Sequence, residues 1–391
     1  MTIALLFLGQ LTIQAQAFLT YLSEHGYEVT AINTTHWSFP RKIDETNIPV
    51  YNLYEDSKIR AMFEGRLDWF RKATLYSIAR NLNLKCDKFS QITDRAGIEL
   101  IYGSWGSLSL PEISMAQEFH VPTVYEFLTY PTSSIGVAQE IENFFNRRTV
   151  NSLDGRVLST QRMLHYMRNV FDMRRGENLV FMECYPEKFY YRKRLPLLSS
   201  LDGQPHLVFI GMDVYDILPQ VEKVASKKIH VHMCNLSQAG WHTNAQEGSN
   251  GEYASKNLGF VHSFNRFTYR EIADGSFATF LTQFDACWVT YNFLGISGLS
   301  RFNNSIPSRF SIALLAGIPI VIPQGYLEGC EEIIKRYQIG FAYDNYSNLN
   351  NKLDNESMLS NYQNNAIKNP NLFSLENNFM KMDKFLKGII G

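Results

Sequence analysis

The chain opens on an apolar run over residues 3–8 that stops at Gly9. So short an uninterrupted run predicts a strand covered on both faces. Apolar residues then recur at helical spacing over 11–25, and Gly26 closes that helix. Residues 27–32 give the next strand. A strand–helix–strand opening predicts a parallel sheet, because parallel neighbours need a crossover that is usually a helix. The theme returns in strands over 99–102, 121–127, 156–159 and 178–182, with a helix over 110–119.

Beyond residue 182 the texture changes. The stretch ECYPEKFYYRKRLPLLSSLDGQP carries two prolines before Leu201 and a basic-aromatic run, and reads as a hinge over 186–205. A second sheet begins at 206–210 and ends in Gly211, as the first strand ended in Gly9. Further strands are predicted over 229–233, 257–261, 286–289, 318–322 and 340–343. The asparagine-rich 344–370 reads as surface loops and short helices, and 372–391 as a helix that packs back on the first domain. The expected fold is α/β: two Rossmann-like domains, 1–185 and 206–371, with parallel sheets facing a cleft.

Composition narrows the function. The 391 residues are 45% hydrophobic, enough for two cores. Lys and Arg number 37 against 38 Asp and Glu, so no overall field gathers nucleic acid. The five cysteines (Cys86, Cys184, Cys234, Cys287, Cys330) are odd in number and never spaced Cys-x-x-Cys, which argues against a disulfide framework and a zinc site and for a reducing cytoplasm. No apolar run reaches the roughly 20 residues of a membrane span. Membrane contact is therefore limited to peripheral attachment at the inner face, for which residues 60–85 offer aromatics and cations at helical spacing; an ordinary amphipathic surface helix is the other reading.

Missing motifs decide as much. Neither G-x-x-x-x-G-K-[ST] nor G-x-G-x-x-G occurs, and no Asp-x-Asp pair is present to hold a divalent ion on a diphosphate. His230 and His232 share one face of a strand. With no third ligand in view they read as packed or hydrogen-bonded histidines, and no metal is expected.

The most informative stretch is 285–343. Pro307-Ser308-Arg309, a helix, then Ala316-Gly317-Ile318-Pro319-Ile320-Val321 resembles the donor-site signature of the GT-B glycosyltransferases, family 1 type bacterial enzymes among them, which runs P-S-K, a helix, then A-G-x-P-V-V. The chemistry is sound by itself. A helix starting at about Pro307 points free N–H groups and its dipole into the crevice where phosphates bind in open α/β sheets. A hydroxyl at Ser308 or Ser311 and the permanent cation of Arg309 would add to it. The alternative is a solvated surface arginine beside a turn into a buried strand.

The resemblance implies a metal-independent glycosyltransferase, with no cofactor beyond a nucleotide-sugar co-substrate, UDP- or GDP-linked. Its acceptor is a hydroxyl of a saccharide, a lipid-linked molecule or another small molecule or glycan, as in bacterial surface-glycan synthesis. The first domain takes the acceptor and the second the donor. Gly211 would let backbone approach phosphate. In GFVHSFNRFTYR, Phe260 or Phe264 would stack on the base and Val261 would bond it, core packing being the other reading for each phenylalanine. Ile312 departs from the pattern, since relatives carry a ribose-holding glutamate there. On the acceptor side Glu126, which leads into Leu128-Thr129-Tyr130-Pro131, is the candidate general base or an ordinary strand-end carboxylate. Gly9 and Gln10, and Gly103 and Ser104 with Gly106, form strand-end loops where backbone could approach a ligand; His120 reads as a helix-end cap. Two other readings share the fold: a non-catalytic partner or chaperone subunit, for which Ile312 speaks, and a sugar-nucleotide epimerase.

Overall fold

The computed structural model describes residues 2–35, 43, 46–53, 97–105, 109–132, 136–211, 217–234, 258–264, 267–293, 300–368 and 373–391. The amphipathic segment 60–85 and Gly106 lie outside them. The chain divides into two compact units: unit 1 is Met1–Glu183 with Ile296–Ser305 and Phe379–Gly391, and unit 2 is Cys184–Gly295 with Ile306–Asn378.

Unit 1 holds strands β1 (Ile3–Gly9), β2 (Tyr27–Asn33), β3 (Val50–Asn52), β4 (Leu100–Trp105), β5 (Thr123–Phe127), β6 (Gly155–Leu158) and β7 (Glu177–Val180). All pair parallel, in the order β3-β2-β1-β4-β5-β6-β7. The helix Ile13–Glu24 starts where the Thr12 hydroxyl accepts from the Ala15 amide at 3.1 Å, and ends before Gly26 at φ +92°. The core packs Leu6, Leu8, Ile101, Tyr125 and Phe127 against helix residues such as Ile113 and Met163.

Unit 2 holds β8 (His206–Ile210), β9 (His230–Cys234), β10 (Val261–Phe264), β11 (Ala286–Trp288), β12 (Ile320–Pro323) and β13 (Gly340–Tyr343), all parallel in the order β10-β9-β8-β11-β12-β13. Trp288 is fully buried and its indole N–H donates to the Tyr343 hydroxyl at 3.0 Å, so the widest ring of this core leaves no orphaned donor.

The closing helix Leu375–Ile390 belongs to both units. Its first residues hold to unit 2, where the Leu375 amide donates to the Tyr185 carbonyl at 2.9 Å. Its later turns cover unit 1: the Tyr27 hydroxyl donates to Asp383 at 2.8 Å, Tyr21 meets Phe379 edge-on at 5.0 Å, and Lys381 donates to the Val180 carbonyl at 2.9 Å.

Several boundaries differ from the sequence expectation. Residues 186–205 fall to unit 2 instead of standing apart as a hinge, and Ile296–Ser305 falls to unit 1. The strand predicted over 99–102 runs on to Trp105. In place of a strand over 257–261 there is a short 3-10 turn, Leu258–Phe260, followed by β10. The 344–370 stretch carries short helices as expected, Tyr346–Leu353 and Glu356–Lys368. Among the described residues no helix is long and apolar enough to cross a membrane.

Candidate functional site

In unit 2 the strand order turns around between β8 and β11, the place where open parallel sheets gather ligands beyond their carboxyl ends. Gly211 follows β8, and Thr290 lies just past β11. Between them stands Arg309. Its Nη1 donates to the Thr290 carbonyl at 3.0 Å, and its guanidinium carbon sits 4.6 Å from the Phe209 ring centre and 4.4 Å from that of Tyr291. Arg309 is only 7% exposed, which excludes the solvated surface arginine. A planar cation sandwiched by rings and hydrogen-bonded to a carbonyl has a fixed orientation, as an anion site requires.

Gly211 explains how that cation fits. Its backbone has φ +147°, and a β-carbon there would lie 3.0 Å from Arg309 Nη2 and 3.2 Å from Cζ. The missing side chain thus admits the guanidinium. Arg309 stands in the first turn of the helix Ser308–Ala316, for which Pro307 is the cap and not the first helical residue. No side chain caps that end and no acidic residue occupies its first turn, so its N–H groups and dipole favour an anion. Ser308 is half-buried there. Ser311 is buried, and its hydroxyl has no partner among the described residues. Ile312 is buried too.

The structure separates Phe260 and Val261 from this group. Because β10 starts at 261 and not at 257, Phe260 precedes the strand and Val261 begins it, instead of the two ending it. The Phe260 ring lies 4.6 Å from that of His230, and Val261 pairs with Val231 and packs on the apolar core, at the end of the sheet opposite Gly211. Phe264 ends the strand, with its side chain outside the described residues. Past the carboxyl ends of β11 and β12 the structure places Phe293 and Tyr326, stacked at 4.5 Å with 23° between planes, Tyr326 being 40% exposed. The signal for Phe293 in the sequence is the alternation Tyr291-Asn292-Phe293 directly after a strand.

In unit 1 the order turns around between β1 and β4. The register sets Gly9 beside Ser104 and Ser104 beside Glu126, so three sequence candidates form a row across adjacent strands. Ser104 Oγ donates to Glu126 Oε2 at 2.8 Å. Burial pushes the Glu126 carboxyl up to about 7, against the opposing pull of the Ser104 and Tyr102 hydroxyls. Gly9 is required by close approach, a β-carbon there lying 2.7 Å from the Ser104 carbonyl oxygen. Gln10 is buried, and its Oε1 has no partner among the described residues. Gly103 is a correction to the loop reading: it lies within β4, and its open side is filled by Tyr125 and Ile113. Trp105 ends β4 at φ +133°, a strained conformation for a bulky residue that composition does not reveal. His120 closes the turn Gln117–Phe119 in the left-handed region.

His230 and His232 are packed and hydrogen-bonded as expected, stacked on His206 and His262 and paired with His262 and His206 through ring nitrogens at 2.8 and 2.7 Å. His230 and His232 have neighbours that sequence spacing could not show, since the strand register brings His206 beside His230 and His262 beside His232. Asp202, in the turn before β8, faces them.

Two doubly wound parallel sheets of seven and six strands, each with candidate residues at its switch point, are the architecture of the GT-B glycosyltransferases, and the chain has that fold. No protein-family profile matches the sequence and no curated protein matches it. Solved structures do. Sucrose-phosphate synthase from Thermosynechococcus elongatus matches with a TM-score of 0.71 at 11% identity, over 100% of this chain and 99% of that one. A glycosyltransferase from Rickettsia africae matches with a TM-score of 0.63 at 12% identity, over 100% and 98%. HepE from Anabaena, in complex with UDP, matches with a TM-score of 0.59 at 12% identity, over 99% and 100%.

Proposed function

We propose that this protein is a metal-independent glycosyltransferase that moves a sugar from a nucleotide-sugar donor to a hydroxyl acceptor. The observation that carries the reading is Arg309, buried at the β8/β11 switch point between two rings and against Gly211. Its guanidinium and the first turn of the helix Ser308–Ala316 take the donor diphosphate, whose charge grows as the sugar bond breaks. Phe293 and Tyr326 offer ring faces for a base. Neighbours of this fold include a UDP complex, which favours UDP among donor nucleotides.

On the acceptor side Glu126 takes the acceptor's proton. A carboxyl titrating near 7 is half ionised at working pH, which suits a general base. The acceptor class is a saccharide or a lipid-linked glycan, with the protein cytoplasmic and attached to a membrane at most peripherally.

The test is calorimetric titration of the purified chain with UDP, GDP, CDP and dTDP, followed by incubation with the sugar conjugate of the nucleotide that binds. Binding by the parent chain and its loss in Arg309→Ala is the expected result, and equal affinity in both removes Arg309 from the site. Release of free nucleotide without any acceptor rules out the non-catalytic partner. Conversion of the sugar on its nucleotide makes the chain an epimerase.

A further inference from the structure

We infer that Asp202, His206 and His230 form a binding site for a divalent ion of the zinc class, at the amino-terminal ends of β8 and β9. This lies at the opposite end of the sheet from Arg309, so the ion takes no part in sugar transfer, and the inference stands whether or not that reading does.

The distances match the ion. Asp202 Oδ2 lies 3.1 Å from His206 Nε2 and 3.2 Å from His230 Nε2. An ion bonded tetrahedrally at about 2.0–2.1 Å holds its ligand atoms roughly 3.3 Å apart. Two edges of such a site therefore already have their length. The three ligand atoms all fall within 4.8 Å of one another. The two imidazoles stack with centroids 4.3 Å apart and 11° between planes, so both turn the same ring edge to the carboxylate. That arrangement needs His206 and His230 opposite each other, and the parallel register of β8 and β9 supplies this directly.

The second shell is what separates this cluster from a casual contact. His206 Nδ1 is hydrogen-bonded to His232 Nε2 at 2.7 Å, and His230 Nδ1 to His262 Nε2 at 2.8 Å. Metal-ligating histidines characteristically have their other nitrogen engaged in this way, which fixes the tautomer and the ring orientation. In the metal-bound form each ligating ring keeps its proton on Nδ1 and donates it to the partner imidazole, leaving the Nε2 lone pair for the ion. His232 then carries its own proton on Nδ1, as does His262. The rings only exchange tautomers, so no proton is lost from the four.

Access and charge agree. The side chains of His206 and His230 are 7% and 13% exposed, whereas that of Asp202 is 40% exposed, so the ligating edge opens to solvent on the carboxylate side, with room for water as fourth ligand. Two neutral nitrogens and one carboxylate suit a borderline divalent ion better than calcium or magnesium, which require oxygen. The ion would tie the turn Ser199–Asp202 to two strands.

The test uses the full chain stripped with chelator, then titrated with cobalt(II) by visible absorption and with zinc(II) by calorimetry. One equivalent is expected to bind, with a tetrahedral cobalt spectrum. Asp202→Asn and His230→Gln should each weaken binding at least tenfold. His262→Gln, acting through His230, should weaken it by about 10–100-fold. Asp202 is at an exposed position, so its variant should keep the metal-free circular dichroism of the parent and decides the matter alone if His230→Gln fails to fold. No bound metal in the parent, or binding equally tight in Asp202→Asn, overturns the site.

Discussion

The guanidinium of Arg309 fills the space that a side chain at Gly211 would need, Nη2 lying 3.0 Å from the place of its first carbon. One residue supplies the cation and the other the room for it, so neither can be judged alone.

Gly211→Ala should therefore destabilise unit 2 by about 1–3 kcal/mol, since it combines an unfavourable φ of +147° with a collision. In an Arg309→Ala background the collision disappears and only the backbone cost remains. A double-mutant cycle from denaturant unfolding should give a coupling of about 0.5–3 kcal/mol. Equal costs in both backgrounds would mean that the two residues do not compete for space.

Arg309→Lys keeps a positive charge but loses the planar fork held between Phe209 and Tyr291. The affinity for a nucleoside diphosphate should fall about tenfold or more, which is roughly 1.4 kcal/mol. Calorimetry with UDP reads this, and a lysine variant that binds as tightly as the parent would show that charge alone suffices.

Glu126 gives a pH signature. Its folded value, about 7, is raised above the ordinary 4.5, so the fold favours the protonated form. The stabilisation is fully present below about pH 4.5 and is lost as pH rises through 7, on the order of 3 kcal/mol in all. Glu126→Gln, which still accepts from Ser104, should be equally stable at low pH and more stable than the parent at pH 8. Urea unfolding at the two pH values is the measurement, and parallel behaviour of parent and variant would show the carboxyl to be ordinary.

Gly103→Ala separates packing from binding. A β-carbon there would sit 2.5 Å from the Tyr125 ring, an overfilled site costing about 1–3 kcal/mol. The unfolding midpoint should drop while nucleotide affinity holds.

Much of this was legible in the sequence because runs such as 3–8 and 206–210, each stopped by glycine, announce parallel strands without help from distant residues. Arg309 was legible for a similar reason, as Pro307 and Gly317 bracket its helix. The ring pair Phe293 and Tyr326 was not. A strand read over 257–261 sets Phe260 and Val261 at its carboxyl end, whereas β10 begins at Val261, and no periodicity over so few residues fixes such a boundary. The histidine cluster was hidden more deeply. His206, His230 and His262 are far apart in sequence, and only the register of three strands makes them neighbours. The same holds for Ser104 and Glu126, whose hydrogen bond depends on how β4 and β5 align.

The double allegiance of the helix Leu375–Ile390 has a consequence for biosynthesis. Domains made first usually fold first as the chain leaves the ribosome. Here Tyr27 finds Asp383 only 356 residues further along the chain, and Tyr21 likewise waits for Phe379, so both contacts form after the second sheet has been made. The nascent first sheet must wait, one flank uncovered, while the whole of the second is synthesised.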